Sequence, residues 1–226
     1  LAKKNKVKKF LFASSCSVYG FTGEKKLVDE SSKKNPISEY AKSKVIGEKI
    51  VMKHNDDNFN VFCLRKGTLY GPSERMRFDL VLNTMVGSAI QDKVITINGG
   101  NQWRPFLHVD DAAEAYIRLL DLNNSKINGK ILNIGSNDQN FQIKRLARVI
   151  KNKIPNCKIQ NSKNFDNRSY KVNFDELKRL LKWSPPKKIE DGVNDTKKLF
   201  TKKYIKNYKD INYYNIKRLI LHLNIS

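Results

Sequence analysis

Apolar residues come along this chain in short bursts, alternately at strand spacing and at helix spacing. Residues 10–15 form a brief apolar run that ends in two hydroxyls, the pattern of a buried strand whose tip opens into a site. Ser38 then stands as an N-cap, and a helix is predicted from there to about His54. Residues 59–64 read as the next, parallel strand, and Tyr70-Gly71-Pro72 as the turn that follows. Residues 78–90 have helical spacing, with Leu80, Val81, Met85 and Ala89 on one face. Further strands are predicted at 94–97 and 131–134. Further helices are predicted at 111–122, 142–154 and 174–181, the last closed by Trp183-Ser184-Pro185-Pro186. Residues 21–37, with Gly23, Pro36 and many charges, are expected as loop, and residues 1–9 as the end of a basic helix and a turn.

The chemistry suggested by this pattern gathers near its start. Tyr40 and Lys44 are four residues apart in a predicted helix, so their side chains leave one helical face. A phenol beside an ammonium is an acid/base device, because the positive charge favours phenolate. Ser15, at the tip of the preceding strand, is placed to hydrogen-bond a substrate oxygen beside that phenol. Asp110 and Asp111 fall at the start of a predicted helix, where carboxylates cap and meet the helix dipole, and His108 is read as structural.

A strand ending S-S-C-S-V-Y-G, followed by Y-A-K-S-K, resembles the extended short-chain dehydrogenase/reductase family, the NAD-dependent nucleotide-sugar epimerases and dehydratases. Further matches follow in order: L-R-K-G-T-L-Y-G-P at 64–72, W-R-P-F-L-H-V-D-D at 103–111 and I-L-N-I-G-S at 131–136. The resemblance reaches to about Phe200. It implies an α/β fold: the C-terminal part of a doubly wound (Rossmann-like) parallel sheet, plus a smaller α/β substrate domain. Residues 1–72 would be the remaining part of the dinucleotide-binding domain, 73–199 mainly the substrate domain with segments returning to the sheet, and 200–226 a basic C-terminal tail.

The resemblance also implies roles. Tyr40 would be the general acid/base, Lys44 would assist it and hold the nicotinamide ribose, and Ser15 would bind the reacting oxygen. Ser14 and Arg65 would join Tyr40 and Lys44 against the cofactor, NAD or NADP. Thr68, where the family commonly has Asn, would hold the nucleotide diphosphate sugar together with Arg104 and Arg168. Dehydratases of the family carry Asp-Glu where this chain has Cys16-Ser17, so an epimerase or a keto-sugar reductase is expected, with Cys16 a packed thiol. The family's Gly-rich pyrophosphate turn does not stand upstream of Tyr40. The chain is therefore read as the C-terminal part of such an enzyme, or as the product of a split or decayed gene. The alternative is a non-catalytic nucleotide-sugar-binding remnant.

Composition changes this picture little. A chain of 226 residues with 39% hydrophobic content can bury an ample core. No apolar run approaches a membrane span, and three scattered cysteines fit free thiols in a reducing, cytoplasmic setting. The formal charge of +22 would suit a polyanion such as nucleic acid or an acidic membrane surface. The lysines, however, are spread along the whole chain and accompany asparagine, so they are read as surface decoration. Neither membrane nor nucleic acid is expected as a partner. The tail mixes basic and aromatic residues, which can bind single strands, and is read as an appendage. A homodimer built on the helix that carries the tyrosine is a further implication of the resemblance.

Overall fold

A computed structural model describes residues 1–23, 27–123, 128–162, 164 and 166–223. Its strands are β1 (Lys9–Ser15), β2 (Leu27–Val28), β3 (Asn60–Lys66), β4 (Thr68–Tyr70), β5 (Val94–Asn98), β6 (Trp103–His108), β7 (Ile131–Ile134), β8 (Asn140–Gln142), β9 (Lys158–Ser162) and β10 (Lys171–Val172). Its α-helices are α1 (Glu39–Met52), α2 (Val81–Gln91), α3 (Val109–Asp121), α4 (Ile143–Lys153), α5 (Asp175–Leu181), α6 (Ile189–Thr201) and α7 (Asn215–Leu223). The chain divides into two compact units, and each draws on separate stretches of sequence.

The first unit comprises Leu1–Thr68, Gln102–Phe141 and Asn167–Pro186. Its parallel sheet runs in the order β1-β3-β7. The central strand β3 is buried from Asn60 to Arg65, as the apolar run there requires. The β1–β3 register sets Phe12 beside Cys63, Ser14 beside Arg65 and Ser15 beside Lys66, and the β3–β7 register sets Lys66 beside Ile134. Helix α1 starts where the sequence places it, with the Ser38 Oγ accepting from the Ala41 N–H at 3.2 Å. It lies close on β1, since a Cβ on Gly47 would come 2.4 Å from the Phe12 ring.

Residues 21–37 are not all loop. Leu27–Val28 pairs in parallel with Lys171–Val172, and Phe21 bridges Ser169. Beneath this pair Cys16, Val18, Tyr19, Val28, Tyr170, Val172 and Phe174 form a core cluster. The N-terminal residues make turns rather than a helix.

The second unit comprises Leu69–Asn101, Gln142–Asp166 and Lys187–Ser226. It holds the parallel pair β5–β9 with α2, α4 and α6. Its core includes Met76, Phe78, Ile205 and Tyr208, flanked by Phe200 and Tyr213. The start of the tail, expected as an appendage, is therefore core. Tyr208 covers Gly87 so closely that a Cβ there would meet its ring at 2.8 Å. Beyond it α7 has no buried residue.

Candidate functional site

Every residue to which the resemblance gives a role belongs to the first unit, on or just after the tips of its strands, on α1 or on the segments around Arg104 and Arg168. Tyr40 stands in the first turn of α1 with 56% of its surface exposed. The Lys44 Nζ, one turn on, lies 5.4 Å from the Tyr40 ring centroid and 5.4 Å from that of Phe12. The ammonium thus lies equally near the Phe12 and Tyr40 rings. Ser15 ends β1, half-buried, and its Oγ accepts from the Ser17 N–H at 3.2 Å, capping the 3-10 turn Cys16–Tyr19.

The same helix is used differently at its third turn. Arg65 is 0% exposed and Glu48 2% exposed. The Arg65 Nε and Nη2 donate to the Glu48 Oε1 and Oε2, each at 2.8 Å, a planar fork on a carboxylate. The Ser14 hydroxyl donates to the Glu48 Oε1 at 2.6 Å, and the Arg65 Nη1 donates to the Tyr19 Oη at 3.0 Å. The Tyr19 hydroxyl donates onward to the Asn133 Oδ1 at 2.8 Å. Burial alone would raise the Glu48 carboxyl, but the hydrogen bonds and charge of Arg65 outweigh it and hold the group below its ordinary value. Ser14 and Arg65, implied as cofactor contacts, are thus internal braces between α1, β1 and β3. Glu48 ends the tyrosine stretch in sequence, but nothing in the spacing pairs it with an arginine 17 residues later on the next strand.

Cys16 is fully buried and its thiol donates to the Arg65 carbonyl at 3.0 Å; burial pushes its pKa far up. It is a packed thiol, as read from the sequence.

Arg104 is buried, with its guanidinium 5.2 Å from the Tyr170 ring centroid. Its Nη1 donates to the Trp103 carbonyl at 2.8 Å and also to the carbonyl of Arg168. The Trp103 N–H donates to the Ser169 Oγ at 3.1 Å. The two arginines implied for substrate therefore meet, the buried one bracing the backbone of the exposed one. Thr68 is half-buried at the start of β4. His108, not an aspartate, caps α3: its Nδ1 accepts from the Asp110 N–H at 3.2 Å, while Asp110 and Asp111 occupy the first turn.

Two residues escaped the sequence reading. Lys66 ends β3, half-buried, with its Nζ 5.7 Å from the ring centroid of Tyr116 on α3. Burial, and next the charge of Lys44, lower the Lys66 pKa. Burial, and next Tyr40, push the Tyr116 phenol up to about 12. The signal for Lys66 is its register with Ser15, which requires knowing which strands are neighbours.

A parallel α/β sheet with an exposed tyrosine and a lysine on the helix after its first strand is a Rossmann-like arrangement. The chain belongs to the NAD dependent epimerase/dehydratase family, whose family model matches residues 1–135. It is 29% identical over 225 residues to Protein CapI of Staphylococcus aureus, covering 90% of this chain and 65% of that protein.

Among solved structures it is similar to UDP-glucuronic acid 4-epimerase from Bacillus cereus in complex with UDP-glucuronic acid and NAD. The TM-score there is 0.74 at 26% identity, over 90% of this chain and 64% of that one. It shares the fold of dTDP-glucose 4,6-dehydratase from Bacillus anthracis in complex with NAD, with a TM-score of 0.77 at 23% identity, over 90% of this chain and 65% of that one. The chain spans between 33% and 65% of the length of the curated relatives it matches first. No helix among the described residues is long and apolar enough to cross a membrane.

Proposed function

We propose that this chain carries the acid/base and sugar-binding parts of an NAD(P)-dependent nucleotide-sugar epimerase or keto-sugar reductase, with Tyr40 as the acid/base. The observation that carries the reading is the exposed Tyr40 phenol with the Lys44 ammonium 5.4 Å from its ring, on a helix packed against the strand that ends in Ser15. These residues fit the nicotinamide end of the cofactor: Lys44 offers donors to a ribose and Tyr40 is open to solvent. The side chains of Ser14 and Arg65 are paired with Glu48 and hold α1 to the sheet behind these groups. When bound, NAD(P) takes up and returns a hydride at the sugar carbon. The Tyr40 Oη, as phenolate, takes the proton of the reacting hydroxyl, becoming the phenol, and then gives it back; Lys44 favours the phenolate that begins and ends this cycle, and the Ser15 hydroxyl orients the reacting oxygen.

Arg168 is exposed and suits a diphosphate, with Arg104 holding its backbone in place. Thr68 offers a hydroxyl to the sugar or phosphate. Cys16 and Ser17 stand where the family's dehydratases carry Asp-Glu and supply no carboxylate, which supports epimerisation or reduction over elimination. The exposed Ile46 and Ile50 of α1 support a homodimer packed on this helix. The buried free thiols of Cys16, Cys63 and Cys157 fit a reducing, cytoplasmic setting.

The test is Tyr40→Phe in the full-length enzyme. Loss of one acid/base group is expected to lower kcat by about 10²- to 10⁴-fold, with nucleotide-sugar affinity close to wild type. Turnover within a few-fold of wild type would remove Tyr40 from the mechanism.

A further inference from the structure

We propose that Lys66 is a second cation of the Tyr40 site, placed to hold a carboxylate on the reacting sugar, so that a nucleotide-linked uronic acid is preferred over its neutral counterpart. This rests on the nucleotide-sugar reading above and narrows its substrate class.

Position comes first. Lys66 is the last residue of β3 and the register partner of Ser15, the last residue of β1. Partners in adjacent parallel strands send their side chains to the same face. The ammonium and the Ser15 hydroxyl therefore leave the sheet together, at the carboxyl ends of the strands, where open α/β sheets bind ligands. The Lys66 Nζ is 5.7 Å from the Tyr116 ring centroid, and Tyr116 lies close enough to Tyr40 for the two phenols to influence each other.

Pairing comes second. Among the described residues Lys66 has no carboxylate partner, whereas Arg65, one residue earlier, is saturated by Glu48. A half-buried ammonium with a second ammonium nearby loses hydration and meets repulsion, and both penalties shift its protonation in the same direction. A bound anion offsets both. An unbalanced cluster of this kind at the mouth of a sheet is a functional-site candidate.

The ligand class follows from the shape of the charge. An ammonium is a compact point charge suited to one oxyanion, unlike the planar fork of an arginine. Arg168, braced by Arg104, serves the diphosphate in the reading above, and Lys66 stands instead beside the groups that face the reacting carbon.

The experiment compares UDP-glucuronate with UDP-glucose by calorimetric titration of the full-length protein with NAD present. The wild type is expected to favour the uronate by about tenfold or more, the worth of one charge-assisted hydrogen bond. Lys66→Met is expected to bring that ratio toward one, and Lys66→Arg to keep most of it. Lys66→Met is also expected to melt no lower than wild type, because it removes a cation that lacks a counter-ion. A wild-type ratio near one, or a ratio unmoved in Lys66→Met, overturns the proposal while leaving the nucleotide-sugar reading intact. A marked fall in the melting temperature of Lys66→Met also overturns it, by showing that the ammonium already has its partner within the fold. Binding of neither sugar nucleotide overturns that reading and the proposal with it.

Discussion

Helix α1 presents two carboxylate–cation pairings and one phenol–cation pairing, and they are built to opposite standards. At its third turn Glu48 and Arg65 are sealed from water and bound by a fork, a serine and a tyrosine. At its first turn Tyr40 and Lys44 share only a ring-to-ammonium approach at 5.4 Å, on an exposed surface. Glu39 and Lys42, also exposed, pair at 2.7 Å across one turn. Strand tips show the same division, with Ser14 and Arg65 spent on Glu48 while their chain neighbours Ser15 and Lys66 are not. The alternation of a strand explains it: successive side chains take opposite faces. On the face that α1 covers, Ser14 and Arg65 are taken into the framework; Ser15 and Lys66 leave the strand tips on the other face with capacity to bind, as Tyr40 and Lys44 do at the exposed start of α1. A saturated network holds geometry, and an unsaturated one can do chemistry, so the contrast separates the two roles without reference to residue type.

The largest test of that contrast outside the site is Glu48→Gln. It keeps the shape but strands the Arg65 guanidinium in the core, and breaking a buried pair from one side costs about 3–5 kcal/mol. Glu39→Gln, at the exposed pair on the same helix, should cost less than about 0.5 kcal/mol. Urea unfolding of the two variants beside wild type measures both. Equal losses would show that the Glu48 network is no stronger a brace than a surface pair, and the division between framework and site would fail.

The pH dependence is smaller and has a definite sign. Glu48 sits below its ordinary value in the folded protein, so its contribution is complete above the unfolded carboxyl value of about 4.3 and is lost as pH falls through the lower folded value. Glu30 is opposite. Burial raises its carboxyl, although its Oε1 accepts from the Asn133 N–H at 2.8 Å. Its ionised form opposes folding, and that opposition is relieved as pH falls through its raised value. Stability measured from pH 7 downward should therefore hold or rise slightly before Glu48 protonates and then fall, and the final fall should be shallower in Glu48→Gln but not abolished, because Asp29, Asp56, Asp79, Asp92 and Asp175 are also held below their ordinary values. A wild-type curve that drops steadily from pH 6 would contradict this assignment.

How much of this was visible in the sequence divides along the same line. Local signals were legible. The Ser38 cap, the span of α1, the strand at β1 and the pairing of Tyr40 with Lys44 all depend on residues within one turn of each other. The family motifs then led to Arg104 and Arg168, and the structure ties those two together. What depends on distant neighbours was not legible. Arg65 looked available because its partner Glu48 lies 17 residues earlier on another element. The two-residue strand Leu27–Val28 exists because residues 171–172 run beside it. The tail looked like an appendage until Tyr208 and Ile205 met Met76 and Phe78. Lys66 was overlooked because only strand order puts it next to Ser15. The aspartates of residues 110–111 were favoured as caps on residue preference, but the turn geometry gives the acceptor position to the His108 Nδ1.

The smallest expected effect falls at the border between the two regions. Ser38 belongs to the framework by its role, yet it caps the turn on which Tyr40 stands, its Oγ accepting from the Ala41 N–H at 3.2 Å. Removing such a cap costs about 1 kcal/mol, about a fifth to a third of the loss expected at Glu48. If Tyr40 needs only exposure, Ser38→Ala should lower stability by that amount and leave kcat unaffected. If it needs a fixed first turn so that the phenol meets the reacting oxygen at one angle, kcat should fall several-fold while KM holds, because misplacement of an acid/base group acts on the transition state. We expect the second result. In that reading the Ser38 cap adds, at the turn that carries Tyr40, to the rigidity that Glu48 and Arg65 supply two turns further on.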